Sequence, residues 1–228
     1  MDYETDDMKA IKIAIDGPAG SGKSSVARRL AEKLEFTYID TGAMYRALTL
    51  VAIEEEIPPA DGEALAARLH EQDIHLEPGR TLIGDRDVSE EIRTPEVDAL
   101  VSEVCAHPAV RREMVRRQRE MAREHGVVME GRDIGTVVFP DAELKIFLTA
   151  SPAVRAVRRS WQLERAGIDF DIDELEKDIV RRDDKDSTRG DSPLCKAEDA
   201  ILVDNSGESL EESVQRIYDI VMEKCGTK

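Results

Sequence analysis

The string Gly17-Pro18-Ala19-Gly20-Ser21-Gly22-Lys23-Ser24 constrains this chain more than any other feature it contains. It satisfies the spacing G-x-x-x-x-G-K-[ST], and that spacing has a physical cause. Glycines let the backbone turn so that successive N–H groups converge on one set of phosphate oxygens. The run before it, Ile11–Asp16, is short and apolar, and Val26, Leu30 and Leu34 follow at helical spacing. A strand, a glycine loop and a helix in that order are the context in which the string holds a triphosphate, because the helix N-terminus adds its dipole and free N–H groups. Lys23 is then placed to reach the β- and γ-phosphates, and the Ser24 hydroxyl to ligate Mg²⁺. The expected ATP contacts are Gly17, Pro18, Ala19, Gly20, Ser21, Gly22, Lys23, Ser24 and Ser25.

The rest of the chain alternates strand and helix signals. Phe36–Asp40, Val127–Glu130, Leu144–Leu148 and Ala200–Val203 read as further strands, and helices are expected at about 41–55, 152–166 and 172–187. A last helix starts at Ser209, whose spacing to Glu212 is a capping box, with Leu210, Val214, Ile217 and Val221 on one face. Alternating βα units imply an α/β fold with a parallel sheet flanked by helices. One stretch breaks the rhythm. Asp73–Val88 reads as two short antiparallel strands about Pro78–Gly79, and Thr94–Pro95 and His107–Pro108 each open a helix. Residues 62–108 are therefore expected to form a small α+β insertion within a single domain over 9–228, after an acidic extension at 1–8.

Composition narrows the partners. The net charge is −17, which repels nucleic acid and anionic lipid and leaves a small anion bound in a focused cationic cleft as the better fit. No apolar run is long enough to span a membrane, and the N-terminal stretch has neither the basic nor the apolar region of a secretory signal. Cys105, Cys195 and Cys225 are widely spaced and odd in number, which fits a reducing, cytoplasmic setting better than zinc or disulfides. The four histidines have no metal-ligand spacing.

Three further stretches put polar residues where a ligand at the end of a sheet can meet them. In Asp40-Thr41-Gly42-Ala43-Met44-Tyr45-Arg46, Thr41 is the expected N-cap, with Tyr45 and Arg46 one turn in. Glu130-Gly131-Arg132-Asp133-Ile134-Gly135-Thr136 follows the apolar run 127–129 and reads either as a surface loop or, with an arginine and an acid at a strand end, as ligand contacts. Residues 181–189, RRDDKDSTR, carry seven charges in nine positions, which describes either a solvated helix end or a cationic lid closing on phosphates. Arg155, Arg158 and Arg159 offer a similar choice between a solvated face and a contact with the transferring group. Each stretch alone decides little. Beside a phosphate loop, the arginines point to two facing anions, as phosphoryl transfer between two phosphates requires.

Taken together, GPAGSGKSS, DTGAMYRALT, EEIRTPEV, GRDIGTVVFPDAELKIFL and RRDDKDSTR resemble the bacterial cytidylate kinases, in order and from about residue 11 to the last helix. The resemblance implies a nucleoside monophosphate kinase-like fold, ATP-Mg²⁺ as donor, CMP or dCMP as acceptor, and a monomer with its lid at about 152–190. It further implies that Thr41 and Asp186 contact the ribose and that Tyr45 shapes the acceptor pocket. Arg46, Arg132 and Arg189 would hold the acceptor phosphate, and Ser102, Arg111 and Asp133 would read the cytosine edge. Arg182 would bridge donor and acceptor phosphates, so that Lys23, Arg182 and Arg189 form the catalytic set. Thr41 stands where the family often has serine, and Glu130 is not assigned to the metal. Two other readings remain: a kinase of a different monophosphate or of a metabolite such as shikimate, and a nucleotide-dependent switch. Against the switch, the chain has no N-K-x-D string to read guanine.

Overall fold

The computed structural model describes residues 11–123, 125–165 and 167–226; the expected acidic extension at 1–8 lies outside them. The described chain runs β1 (Lys12–Asp16), α1 (Lys23–Leu34), β2 (Thr37–Asp40), α2 (Thr41–Glu54), α3 (Gly62–Glu71), β3 (Ile74–Glu77), β4 (Arg80–Ile83), β5 (Arg86–Asp87), α4 (Pro95–Val104) and α5 (Pro108–Met121). It continues as β6 (Val127–Gly131), β7 (Leu144–Thr149), α6 (Pro152–Arg165), α7 (Ile172–Thr188), β8 (Ile201–Asp204) and α8 (Leu210–Cys225). Two compact units result: residues 11–38 with 125–226, and Ile39–Arg123. Among the described residues no helix is long and apolar enough to cross a membrane.

The first unit is built on a five-stranded sheet in the order β2-β6-β1-β7-β8, the parallel α/β arrangement expected. β1 lies at its centre, parallel to both β6 and β7. Alternation along β1 puts Ile13 and Ile15 on one face, where they pack with Val26 and Leu30 of α1 and with Val214, Ile217 and Val221 of α8. Ile13, Ile15 and Leu30 are fully buried, and each such side chain contributes about 2 kcal/mol of transfer free energy. The capping box of α8 forms as its spacing predicts, with Ser209 and Glu212 bonding reciprocally. Register sets Asp16 beside Gly131. The chain therefore leaves both strands at the same carboxyl end of the sheet, where ligands of open parallel sheets bind.

The second unit has its own apolar core. Met44 and Leu48 of α2 pack with Leu65 and Leu69 of α3, Val97 and Val101 of α4, and Val110 and Met114 of α5. β3 and β4 pair antiparallel about Pro78–Gly79 as expected, and β5 adds a third strand. That strand is only two residues long and hydrophilic, so it leaves no alternation to read. Helix α3 is also not legible in the sequence: it presents only Leu65 and Leu69 as buried apolar residues and is started by the Asp61 side chain accepting from Ala64 N–H. One expectation needs correcting. Thr41 is not the cap of α2; Asp40 is, its carboxylate accepting from Ala43 N–H at 3.0 Å. A carboxylate at the positive end of the helix is held by charge as well as by the hydrogen bond, and Thr41 becomes the first helical residue.

Candidate active site

The phosphate loop takes the form its glycines allow. Gly17 has φ +151°, and a Cβ there would meet the Leu148 carbonyl oxygen at 2.0 Å, so no other residue fits without moving β7. Lys23 lies back along the loop and donates to the Pro18 carbonyl at 2.7 Å. Burial, and then the neighbouring Arg132 charge, lower the Lys23 ammonium to about 7. The Ser24 hydroxyl donates to Glu130 Oε1 at 2.6 Å, and the Tyr38 hydroxyl approaches the same oxygen at 3.5 Å.

Asp16, at the end of β1, is not among the residues expected from the sequence. Its two carboxylate oxygens accept from the Ile134 and Gly135 N–H groups at 2.8 and 2.7 Å. Those amides open the wide helical turn Ile134–Val138 that follows Arg132 and Asp133. Burial pushes the Asp16 carboxyl up to about 6, against the pull of both amides. The carboxylate therefore ties the segment after β6 to the strand that carries the loop. Nothing in its local sequence marks this role, because its partners lie more than a hundred residues away in the chain.

Within the first unit Arg132 donates from Nε to Asp186 Oδ2 at 2.9 Å. Burial works against the Arg132 charge, yet Asp186 and then Glu130 outweigh it and hold the guanidinium above its ordinary range. Arg189 lies 3.8 Å from Asp133 Oδ1 and donates from Nε to the Ser192 carbonyl at 2.6 Å. Asp133 and Asp186 are both buried. Arg182 and Asp186 lie one turn apart on α7, and Asp183 of the same helix accepts from Arg155 Nη1 at 2.5 Å. The structure thus brings together Lys23, Ser24, Arg132, Asp133, Asp186 and Arg189 of the expected set.

The α6 arginines contact the loop's carbonyls. Arg155 Nη1 donates to the Ala19 carbonyl and Arg158 Nη1 to the Ser21 carbonyl, each at 3.1 Å. Asn205, just past β8, also donates to the Ser21 carbonyl at 3.1 Å; nothing in its sequence context marks it. Arg159 instead reaches Gln162 at 2.9 Å on the exposed face of α6.

The second unit holds the remaining candidates. Arg46 pairs with Asp98 and donates from Nη1 to the Ile92 carbonyl at 3.1 Å. The Arg111 guanidinium lies over the Tyr45 ring, 5.5 Å from its centroid, and donates to the Cys105 carbonyl at 3.2 Å. Thr41, Tyr45 and Arg111 are buried, and Ser102 is half-buried on α4. Arg46, Arg132 and Arg189, the three guanidiniums expected to hold the acceptor phosphate, thus each lie within 4 Å of a carboxylate that orients them.

Comparison with known proteins bears on the fold and the family of the chain. A structure of shikimate kinase from Acinetobacter baumannii is similar in fold, with a TM-score of 0.50 at 15% identity over 97% of this chain and 96% of that one. Among curated proteins, the cytidylate kinase of Carboxydothermus hydrogenoformans is 49% identical over 94% of this chain and 98% of its own length. That of Anoxybacillus flavithermus is 51% identical over 95% and 98%. The family model for cytidylate kinase matches residues 13–223. A match running from β1 into α8, carried by relatives of equal length at about half identity, makes this chain a member of the cytidylate kinase family.

Proposed function

We propose that the chain transfers the γ-phosphate of ATP to CMP or dCMP, giving ADP and CDP or dCDP, within pyrimidine nucleotide metabolism. The observation that carries this reading is the pairing of Arg132 with Asp186 at the carboxyl end of the sheet, which bears the phosphate loop, in a chain of this family. That arginine is close enough to Lys23 to depress its pKa. A cationic pair of this kind suits a donor phosphate on one side and an acceptor phosphate on the other.

The roles follow from the chemistry each side chain offers. Gly17 to Ser25 hold the donor phosphates, with Lys23 meeting the β- and γ-oxygens. Arg46, Arg132 and Arg189 receive the acceptor phosphate, which takes over the hydrogen bonds that Asp98, Asp186 and the Ser192 carbonyl now accept. Arg182 and Arg189 neutralise the charge of the transferring group, and Thr41 and Asp186 meet the ribose. Ser102, Arg111 and Asp133 read the cytosine edge beside Tyr45; the stacking of Arg111 on Tyr45 holds two flat groups in a fixed orientation. The attacking phosphate oxygen is already anionic at neutral pH, so positioning and charge neutralisation are sufficient and no dedicated base is needed.

Mg²⁺ suits the oxygen donors present. The Ser24 hydroxyl is bonded to the Glu130 carboxylate, so a hard-oxygen environment borders the loop. Among the described residues no three His, Cys, Asp or Glu side chains form a metal cage, and Mg²⁺ commonly relies on waters and substrate phosphates instead. Ser24 would hold the ion directly. Bound Mg²⁺ would supply positive charge that offsets the negative charge of the donor phosphates. We further propose that residues 62–108 belong to the acceptor lobe, that 152–190 act as a lid excluding water, and that the protein works as a cytoplasmic monomer.

The test is ADP release with ATP-Mg²⁺ against CMP, dCMP, UMP, AMP, GMP and shikimate. Turnover led by CMP and dCMP is expected. Turnover led by AMP, GMP or shikimate would overturn the cytosine contacts, and turnover independent of any acceptor would overturn the transfer itself.

A further inference from the structure

We propose that Asn205 is a positioning residue for the phosphate loop, acting with Arg158 to aim one of the loop's amides at the donor phosphates. The proposal rests on the reading of Gly17 to Ser25 as the donor site and deepens it. It begins with peptide geometry. In a trans peptide the C=O of one residue and the N–H of the next point in opposite directions. None of the peptides described is cis. A donor that fixes the Ser21 carbonyl therefore fixes the opposite direction for the Gly22 N–H, and a donor on the Ala19 carbonyl does the same for the Gly20 N–H.

The structure places donors on both carbonyls. Arg155 takes Ala19 and Arg158 takes Ser21, and the two arginines are three residues apart on one face of α6. Ser21 receives a second donor, Asn205 Nδ2 at 3.1 Å. Asn205 is buried, and its own side-chain oxygen accepts from Arg158 Nη1 at 3.0 Å while its carbonyl accepts from Arg158 Nη2 at 2.9 Å. Its backbone N–H donates to the Thr149 carbonyl at 3.0 Å, which roots it at the end of β7. Asn205, Arg158 and the Ser21 carbonyl thus form a closed triangle of hydrogen bonds fastened to the sheet. The buried Ser21 hydroxyl makes no hydrogen bond among the described residues, so this carbonyl is where residue 21 is held.

The loop needs such holding because its glycines are free to turn either way. Gly20 and Gly22 have φ +75° and +91°, and a glycine reaches positive and negative φ with similar ease. An amide that swings away from the phosphate loses its share of the anion cradle. A Cβ on Gly22 would sit 3.6 Å from Arg158 Nη1 and 3.7 Å from Asn205 Nδ2, so the triangle lies directly against the glycine it orients. Arg158 thereby acts on the donor phosphates through the loop.

The experiment uses the full-length protein labelled with ¹³C and ¹⁵N. Calorimetric titration with ATP-Mg²⁺, and separately with CMP, is compared between wild type and Asn205→Ala, with the Ser21 carbonyl ¹³C resonance as the structural readout. Asn205→Ala is expected to weaken ATP binding about tenfold, a loss of about 1.4 kcal/mol, and to leave CMP binding within twofold. It should shift the Ser21 carbonyl resonance while leaving that of Ala19 in place. Should Asn205→Ala not fold, Asn205→Ser, too short to span the gap, carries the same expectations. ATP binding within twofold of wild type would overturn the proposal, as would an equal loss for CMP, which is the mark of a merely structural residue. Absence of CMP binding in the wild type would instead overturn the acceptor assignment, while the ATP and Ser21 readouts still decide the role of Asn205.

Discussion

At the scale of single residues, the site depends on groups held under constraint. Gly17 is the clearest case: its φ of +151°, and the Leu148 oxygen that would lie 2.0 Å from a Cβ at this position, exclude any side chain. Gly17→Ala should therefore lower stability by about 2 kcal/mol or more, the range for forcing a residue into strained backbone, and should remove turnover as the loop shifts off β7. Thermal unfolding and coupled ADP release on the same sample check both parts; unchanged turnover would mean the loop tolerates the displacement. Arg132 offers the complementary test. Arg132→Lys keeps a charge but loses the planar fork that bonds Asp186 and that, in the proposed role, receives the acceptor phosphate. Its KM for CMP should rise at least tenfold with the KM for ATP little changed, and steady-state kinetics with each substrate varied separates the two. Gly17 is legible in the sequence because its motif prescribes residue type and spacing, and Arg132 was given its role only through the family resemblance. Asp16 is not legible there, because its role depends on the Ile134 and Gly135 amides reaching it across the sheet.

At the scale of elements, ends and joints matter most. Helix α8 is started by Ser209 and Glu212, and Ser209→Ala should cost about 1 kcal/mol, the usual loss of a cap, with no change in turnover; urea unfolding measures it. The joint between α3 and α5 has a pH-dependent component. Arg117 donates to the Leu69 and Gln72 carbonyls at the end of α3, and Glu113 accepts from Arg117 and Arg116. The hydrogen bond from Arg116, and then that from Arg117, hold the Glu113 carboxyl at about 2. Because its folded pKa lies below its unfolded value, the unfolded chain binds the proton first as pH falls. The stabilisation is fully present above about 4.5, the ordinary glutamate value, and disappears as pH drops toward 2. Arg116 is half-exposed, so solvent screening leaves about 1 kcal/mol of it. Glu113→Gln should lose that amount at pH 7 and match the wild type near pH 2, as unfolding across the range would show. Helix α3 itself escapes a reading of the sequence because two buried leucines give too short a period, and Arg117 on α5 supplies what its own residues do not.

At the scale of the whole molecule, charge is the dominant quantity. A net charge of −17 makes the folded chain repel itself, and most of its surface ion pairs are exposed pairs worth at most about 1 kcal/mol each. Screening should therefore relieve more repulsion than it removes attraction. The melting temperature at pH 7.5 is expected to rise by a few degrees between about 20 and 300 mM KCl, over which the Debye length shrinks several-fold. A fall in that calorimetric series would show that the ion pairs outweigh the net charge. Arg46, Arg132 and Arg189 differ from the exposed pairs in sitting largely buried beside carboxylates.

Local spacing alone was enough to specify the parallel sheet and the phosphate loop, whereas the arginines were given their roles only by the family resemblance. Apolar runs of strand length, a glycine string between strand and helix, and charged turns after strands need no distant partner to be recognised. Which backbone groups those residues hold was settled only once the chain had folded. Asp16 fastens Ile134 and Gly135, Arg155 and Arg158 hold the carbonyls of Ala19 and Ser21, and Asn205 joins them from the far end of the chain. A buried carbonyl or amide must find a partner, and which partner reaches it depends on how the strands are ordered in the sheet, here β6 and β7 on either side of β1.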